Sequence, residues 1–124
     1  MTPLSLDRRP FTAGVLISVA GEMDATNADQ LEVYVGRMGQ PGRPLVLDLA
    51  GLTFMDSTGL HVLLRVLSAV REQGGTLHLA AVTDLPARLL QITGVWDALD
   101  IHPTADAAVT ALLRPPAPGL RRLP

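Results

Sequence analysis

The sequence predicts a single α/β domain, and three observations predict it. Period-two apolar runs such as Val15, Ile17 and Val19 take turns along the chain with helically spaced runs such as Leu60, Leu63, Leu64 and Leu67. Clusters of glycine and proline punctuate most of the boundaries between them. The length, 124 residues, holds one compact domain and leaves no room for a second core.

Taken in order, the first expected element is an edge strand around Leu4 to Phe11, where Pro3 and Pro10 suit an edge better than a sheet centre. Val15, Ile17 and Val19 then alternate with Leu16, Ser18 and Ala20 as a second strand. Past Gly21, Asp24 or Thr26 can cap a helix whose inner face is Leu31, Tyr34, Val35 and Met38, and Gly39, Pro41, Gly42 and Pro44 end it. Leu45 to Leu49 reads as a short buried strand, followed by a turn at Gly51 and the stretch Leu52 to Met55. The longest helix signal follows, opened by Asp56 or Ser57 and carrying Leu60, Leu63, Leu64, Leu67 and Val70 until Gly74-Gly75 stops it. Thr76 to Val82 is a further strand, Asp84 caps a short helix through Leu89, Leu90 and Ile92, and Gly94 ends that helix. A brief strand at Leu99 to Ile101 precedes a last helix, capped by Thr104, with Ala108, Val109, Leu112 and Leu113 as its stripe. The total is about five strands and about four helices. Residues 1–113 form the expected domain, and 114–124 read as a Pro/Arg-rich disordered tail.

Composition narrows the function. Aromatic residues are 3% of the chain, so the core is expected to be Leu, Val, Ile and Ala. A net charge of -2 supplies no basic face, and direct nucleic-acid binding is not expected. Cysteine is absent, which removes disulfides, thiol redox chemistry and thiolate metal sites. No apolar run approaches the ~20 residues of a bilayer span, and no signal-peptide pattern opens the chain, so a cytoplasmic address without membrane contact is expected. All of the 10 basic residues are arginine. That excludes a P-loop lysine, a Schiff-base lysine and the lysine of receiver-type phosphoaspartate domains.

Gly21-Glu22-Met23-Asp24 and Met55-Asp56-Ser57-Thr58-Gly59 each place polar groups at a strand-to-helix turn within apolar sequence. In an α/β sheet such turns gather along one edge, where sites are usually found. Ser57 is expected at an exposed helix start, beside free N–H groups and the positive end of the dipole, a place that accepts a phosphate. The spacing alone leaves two readings open: a capping cluster with a spare hydroxyl, or a modification site.

The stretch Leu47-Asp48-Leu49-Ala50-Gly51-Leu52-Thr53-Phe54-Met55-Asp56-Ser57-Thr58-Gly59-Leu60 resembles the signature of the STAS domain, specifically that of the bacterial anti-sigma factor antagonists. Gly21-Glu22-Met23-Asp24 with Ala28 resembles the same family's other motif, and the resemblance spans roughly Phe11 to Leu113. It implies a mixed sheet with helices mainly on one face. It also implies a binding protein, not an enzyme and without a cofactor, that sequesters an anti-sigma factor serine kinase and so frees a sigma factor. The kinase would phosphorylate Ser57 and a PP2C-type phosphatase would reverse it. Glu22, Asp24, Asp56, Ser57, Thr58, Gly59 and His61 would make up the partner-binding face. His61 stands where the family often has glycine, and the Pro/Arg tail has no family counterpart.

Other readings are weaker. A Ser57 nucleophile with His61 as base lacks a group to orient the histidine, lacks a Gly-x-Ser-x-Gly elbow, and places His61 along the helix. A phosphoaspartate receiver built on Glu22, Asp24 and Asp56 lacks its lysine. His78 and His102 are expected on separate elements and suggest no zinc set. Phe54 and Trp96 are expected in the core rather than on a ligand platform. Within the resembled family, the alternative function is a sensory scaffold or a ligand- or nucleotide-binding module of a signalling complex; a role as a sulfate-transporter domain is disfavoured by the lack of a spanning segment.

Overall fold

The computed structural model describes residues 2–114, and the expected tail beyond Arg114 lies outside the described residues. Ten elements follow one another: β1 (Ser5–Phe11), β2 (Gly14–Met23), α1 (Ala28–Met38), β3 (Leu45–Met55), α2 (Ser57–Glu72), β4 (Leu77–Ala80), α3 (Asp84–Ile92), a 3-10 turn (Val95–Ala98), β5 (Asp100–His102) and α4 (Ala105–Leu113). The strands form one sheet in the order β1-β2-β3-β4-β5. β1 and β2 are an antiparallel hairpin, with Ser5 opposite Ala20 and Phe11 opposite Gly14. Every later pairing is parallel, so the sheet is mixed.

Strand alternation divides the apolar residues between two faces. Val15, Ile17 and Val19 of β2, Leu45, Leu47 and Leu49 of β3, and Leu77 and Leu79 of β4 bury against Leu31 of α1, Leu63, Val66 and Leu67 of α2, and Leu90 of α3. The opposite face carries Val46 and Ala80, covered by Ala108 of α4 with Leu112 beside it. Helices therefore lie mainly on one face, as expected, with α4 alone behind the sheet. Among the described residues no helix is long and apolar enough to cross a membrane.

The main departure from expectation is at Gly51. Instead of turning there, β3 runs unbroken over 11 residues. Two register shifts against β2, between Ser18 and Ala20 and between Gly21 and Glu22, absorb the irregularity as a bulge. A Cβ at Gly51 would stand 2.8 Å from the Ala20 Cβ, so the strands approach closely where glycine is placed. Gly21 has a second constraint, a φ of +99° with the Pro3 carbonyl oxygen where a Cβ would be.

β4 pairs with β3 only as far as Asp48, so the rest of β3 runs beyond the β3–β4 ladder with β2 as its only strand partner. Phe54, expected in the core, is in that extension and is 37% exposed. The extension has β2 as its only strand neighbour, and while Leu52 and Met55 are buried, Phe54 is left partly open to solvent. Met38 and Leu113, expected on inner helix faces, are also exposed at the last positions of α1 and α4. Trp96 does pack against the larger core.

Leu47 is fully buried at the centre of the sheet. Leu47→Ala is expected to lower stability by about 2–5 kcal/mol, measured as a shift of the urea midpoint followed by circular dichroism.

Candidate functional site

The β2 and β3 extensions end level with each other, with Met23 paired to Met55. Each strand then turns into the helix that follows it. The Asp56 N–H donates to the Met23 carbonyl at 3.3 Å and ties the second turn to the first. Both methionine side chains are buried, and between them lies Gly59. A Cβ on Gly59 would fall 2.7 Å from Met55 Cγ and 3.1 Å from Met23 Cε. Only a residue without a side chain lets the first turn of α2 settle onto the strand ends.

Asp56 is the N-cap of α2, in extended conformation, and its Oδ1 accepts the Gly59 N–H at 3.1 Å. Its carbonyl accepts the Leu60 N–H at 3.0 Å. Ser57 is consequently the first helical residue, and of the two candidate caps it is Asp56 that caps the helix. Its side chain is exposed. Among the described residues its hydroxyl has no hydrogen-bond partner. Thr58 is half-buried, and His61 is exposed one turn further along the helix face that Ser57 begins.

The first turn is closed by side chains. Asp24 Oδ1 accepts both the Thr26 N–H at 2.9 Å and the Thr26 hydroxyl at 2.6 Å. Asn27 Oδ1 accepts the Asp24 N–H at 3.0 Å, and its Nδ2 donates to the Glu22 carbonyl at 2.8 Å. The Asp24 carbonyl accepts from Asn27 and Ala28. The expectation that Asp24 or Thr26 caps α1 is not met: the N-cap is Asn27, whose side chain instead binds back across the turn. Asn27 was missed by sequence reasoning, although an asparagine just before a helical run is a recognisable signal for it.

The Thr26 hydroxyl, and then the Thr26 N–H, hold the Asp24 carboxyl below its ordinary value, with burial a smaller effect in the other direction. Among the described residues Glu22, Asp24 and Asp56 have no cationic partner. The structure thus brings Asp56, Ser57, Thr58 and Gly59 into one turn, docks the Glu22–Asp24 turn against it, and leaves His61 on the adjoining helix face.

One expectation about the histidines is corrected. His78 and His102 do lie on different strands, but β4 and β5 are neighbours, with His78 opposite Asp100 and Ala80 opposite His102. The two rings stand 5.5 Å apart between centroids, and Asp100 bridges them at 3.0 Å and 3.6 Å. Period-two spacing of Asp100 and His102 was visible in the sequence; the partner strand was not. Burial pushes the His78 imidazole pKa down, Asp100 pulls it up, and His102 adds a smaller push down.

Comparison with known proteins gives consistent matches. The STAS domain family model matches residues 8–108. The anti-sigma-B factor antagonist of Bacillus subtilis is 30% identical over 106 residues, which are 86% of this chain and 97% of that protein. The Staphylococcus aureus protein of the same name is 32% identical over 87 residues, 69% of this chain and 81% of its own. The crystal structure of an anti-sigma factor antagonist from Mycobacterium paratuberculosis superposes with a TM-score of 0.79 at 26% identity, covering 90% of this chain and 96% of that one.

Two outcomes test the local construction. In Gly59→Ala the clash with two buried methionines outweighs the gain in helix propensity, and stability is expected to fall by about 1 kcal/mol or more in chemical denaturation. The Asp24 contribution is present in full above its unfolded pKa of about 3.9 and is lost as pH falls through the lower folded value. Asp24→Asn should accordingly flatten the acid limb of a stability-against-pH profile while leaving the neutral and alkaline limbs parallel to wild type.

Proposed function

The chain belongs to the STAS domain family, and on that premise we propose that it is an anti-sigma factor antagonist, a binding protein switched off by phosphorylation of Ser57. Support for the role comes from the names of its relatives over nearly their whole length. The observation that carries the switch is the exposed Ser57 hydroxyl at the first position of α2, with Asp56 doing the capping.

The partner is an anti-sigma factor that is also a serine kinase, and it covers the face made by Glu22, Asp56, Ser57, Thr58 and His61, with Asp24 and Gly59 buried behind that face and shaping its two turns. With the kinase in place, the Ser57 oxygen attacks the γ-phosphorus of ATP, a new O–P bond forms, the bond to the β-phosphate oxygen breaks, and ADP leaves. The hydroxyl proton passes to a base on the kinase. A PP2C-type phosphatase hydrolyses the ester and returns the active form. Beyond the Ser57 hydroxyl itself, no group of this chain is needed for either step, in keeping with a binding protein, and the cytoplasm is where ATP, kinase and sigma factor meet.

Phosphate adds about -1.5 to -2 charge at neutral pH. It does so beside Asp56 and the docked Glu22–Asp24 turn, among carboxylates without cationic partners in the described residues. Like charge brought to an interface costs several kcal/mol, and each ~1.4 kcal/mol is tenfold in affinity. Binding is thus expected to weaken about 100-fold or more. The fold itself tolerates the anion, because the first turn of a helix offers free N–H groups and the positive dipole end.

The reading is tested by incubating the protein with candidate anti-sigma kinases and ATP and mapping the phosphate by mass spectrometry. Label on Ser57, lost in Ser57→Ala, is expected, and Ser57→Asp should bind the kinase about 100-fold more weakly than Ser57→Ala. Equal affinity of the two variants would overturn the switch, and label elsewhere or none would favour a sensory scaffold.

A further inference from the structure

The His78, Asp100 and His102 cluster is on the sheet face that α4 covers, alternating with Leu79 and Ile101 of the larger core. Parallel pairing of β4 with β5 and the two-residue period of strands turn all three side chains to the same side. His78 Nδ1 and His102 Nε2 face each other at 3.4 Å. That is long for a hydrogen bond, whose N–H···acceptor distance centres near ~2.9–3.0 Å. It is close to the ~3.3 Å edge of a tetrahedron drawn around zinc with Zn–N distances of ~2.0–2.1 Å. Asp100 adds a carboxylate oxygen to each nitrogen, Oδ2 at 3.0 Å from His78 Nδ1 and Oδ1 at 3.6 Å from His102 Nε2.

We propose that His78 Nδ1, His102 Nε2 and the Asp100 carboxylate bind a divalent cation of tetrahedral preference, zinc foremost. Donor types, spacing and surroundings agree. Two imidazoles and one carboxylate are the ligand set of open zinc sites, with a water in the fourth position. His78 Nε2 is 2.9 Å from the Thr76 hydroxyl, which fixes the ring and leaves Nδ1 for the metal, the usual arrangement for a ligating histidine. The His78 side chain is 8% exposed and that of His102 17%, whereas Asp100 is 61% exposed, so one carboxylate gives the ion a path in from solvent. The bound ion would clip the three-residue edge strand β5 to β4. It would do so away from the Ser57 turn, and the inference stands whether or not Ser57 is phosphorylated.

The test is calorimetric titration of the full chain, stripped with chelator, with zinc chloride at neutral pH, alongside thermal unfolding with and without zinc. One ion per chain and a zinc-dependent rise in Tm are expected. Asp100→Asn, at an exposed position that leaves the metal-free fold intact by circular dichroism, and His102→Gln should each weaken binding about tenfold or more and abolish the rise. Thr76→Val should weaken it about 10-fold through loss of ring positioning. Magnesium, which prefers octahedral oxygen ligands, should not compete. Absence of saturable zinc binding, or binding of unchanged affinity in Asp100→Asn and His102→Gln, overturns the site and leaves a metal-free His–Asp–His cluster.

Discussion

The site depends on the seating of α2 on the ends of β2 and β3. Gly59 sits between Met23 and Met55, and the Asp56 N–H reaches the Met23 carbonyl. Each contact requires the others. A larger residue at 59 would lift the first turn, and a lifted turn would break the backbone bond that joins the two loops. Apolar contact beneath the loops thus fixes the polar surface above them. The methionines are well suited to this, since a flexible thioether can fill an irregular gap left by a missing side chain.

Much of this was legible in the sequence, and what was not has a physical cause. The hairpin strand, the helix capped by Asp56 and the Thr104 cap were readable because each is decided locally, by period or by capping chemistry. The length of β3 was not, because Gly51 looks the same whether the chain turns or merely approaches a neighbour. Only the Ala20 side chain pressed against it decides the matter. Phe54 misled for a related reason: its hydrophobicity argues for burial, but β4 stops short and leaves that stretch of β3 with a single neighbour.

The candidate site divides in the same way. Ser57, Asp56 and Asp24 could be singled out from two short motifs, while their joining across the Met23–Asp56 bond follows from strand register. Asn27 stands at the N-cap of α1, but its side chain closes the preceding turn instead of capping the helix, and that use follows from the turn's geometry and not from the helical pattern. The histidine cluster escaped for the plainest reason. His78 and His102 are 24 residues apart, and nothing short of the β4–β5 pairing brings His78 to the other two.

The strand order carries one more consequence. Each strand lies beside the one made just before it, from β1 through β5. A chain leaving the ribosome N-terminus first can lay down this sheet one strand at a time, with no gap held open for a later segment to enter. Interleaved parallel sheets must wait for distant segments before their central strands are paired. Here the hairpin of β1 and β2 can serve as the template, and every later addition lengthens an existing edge.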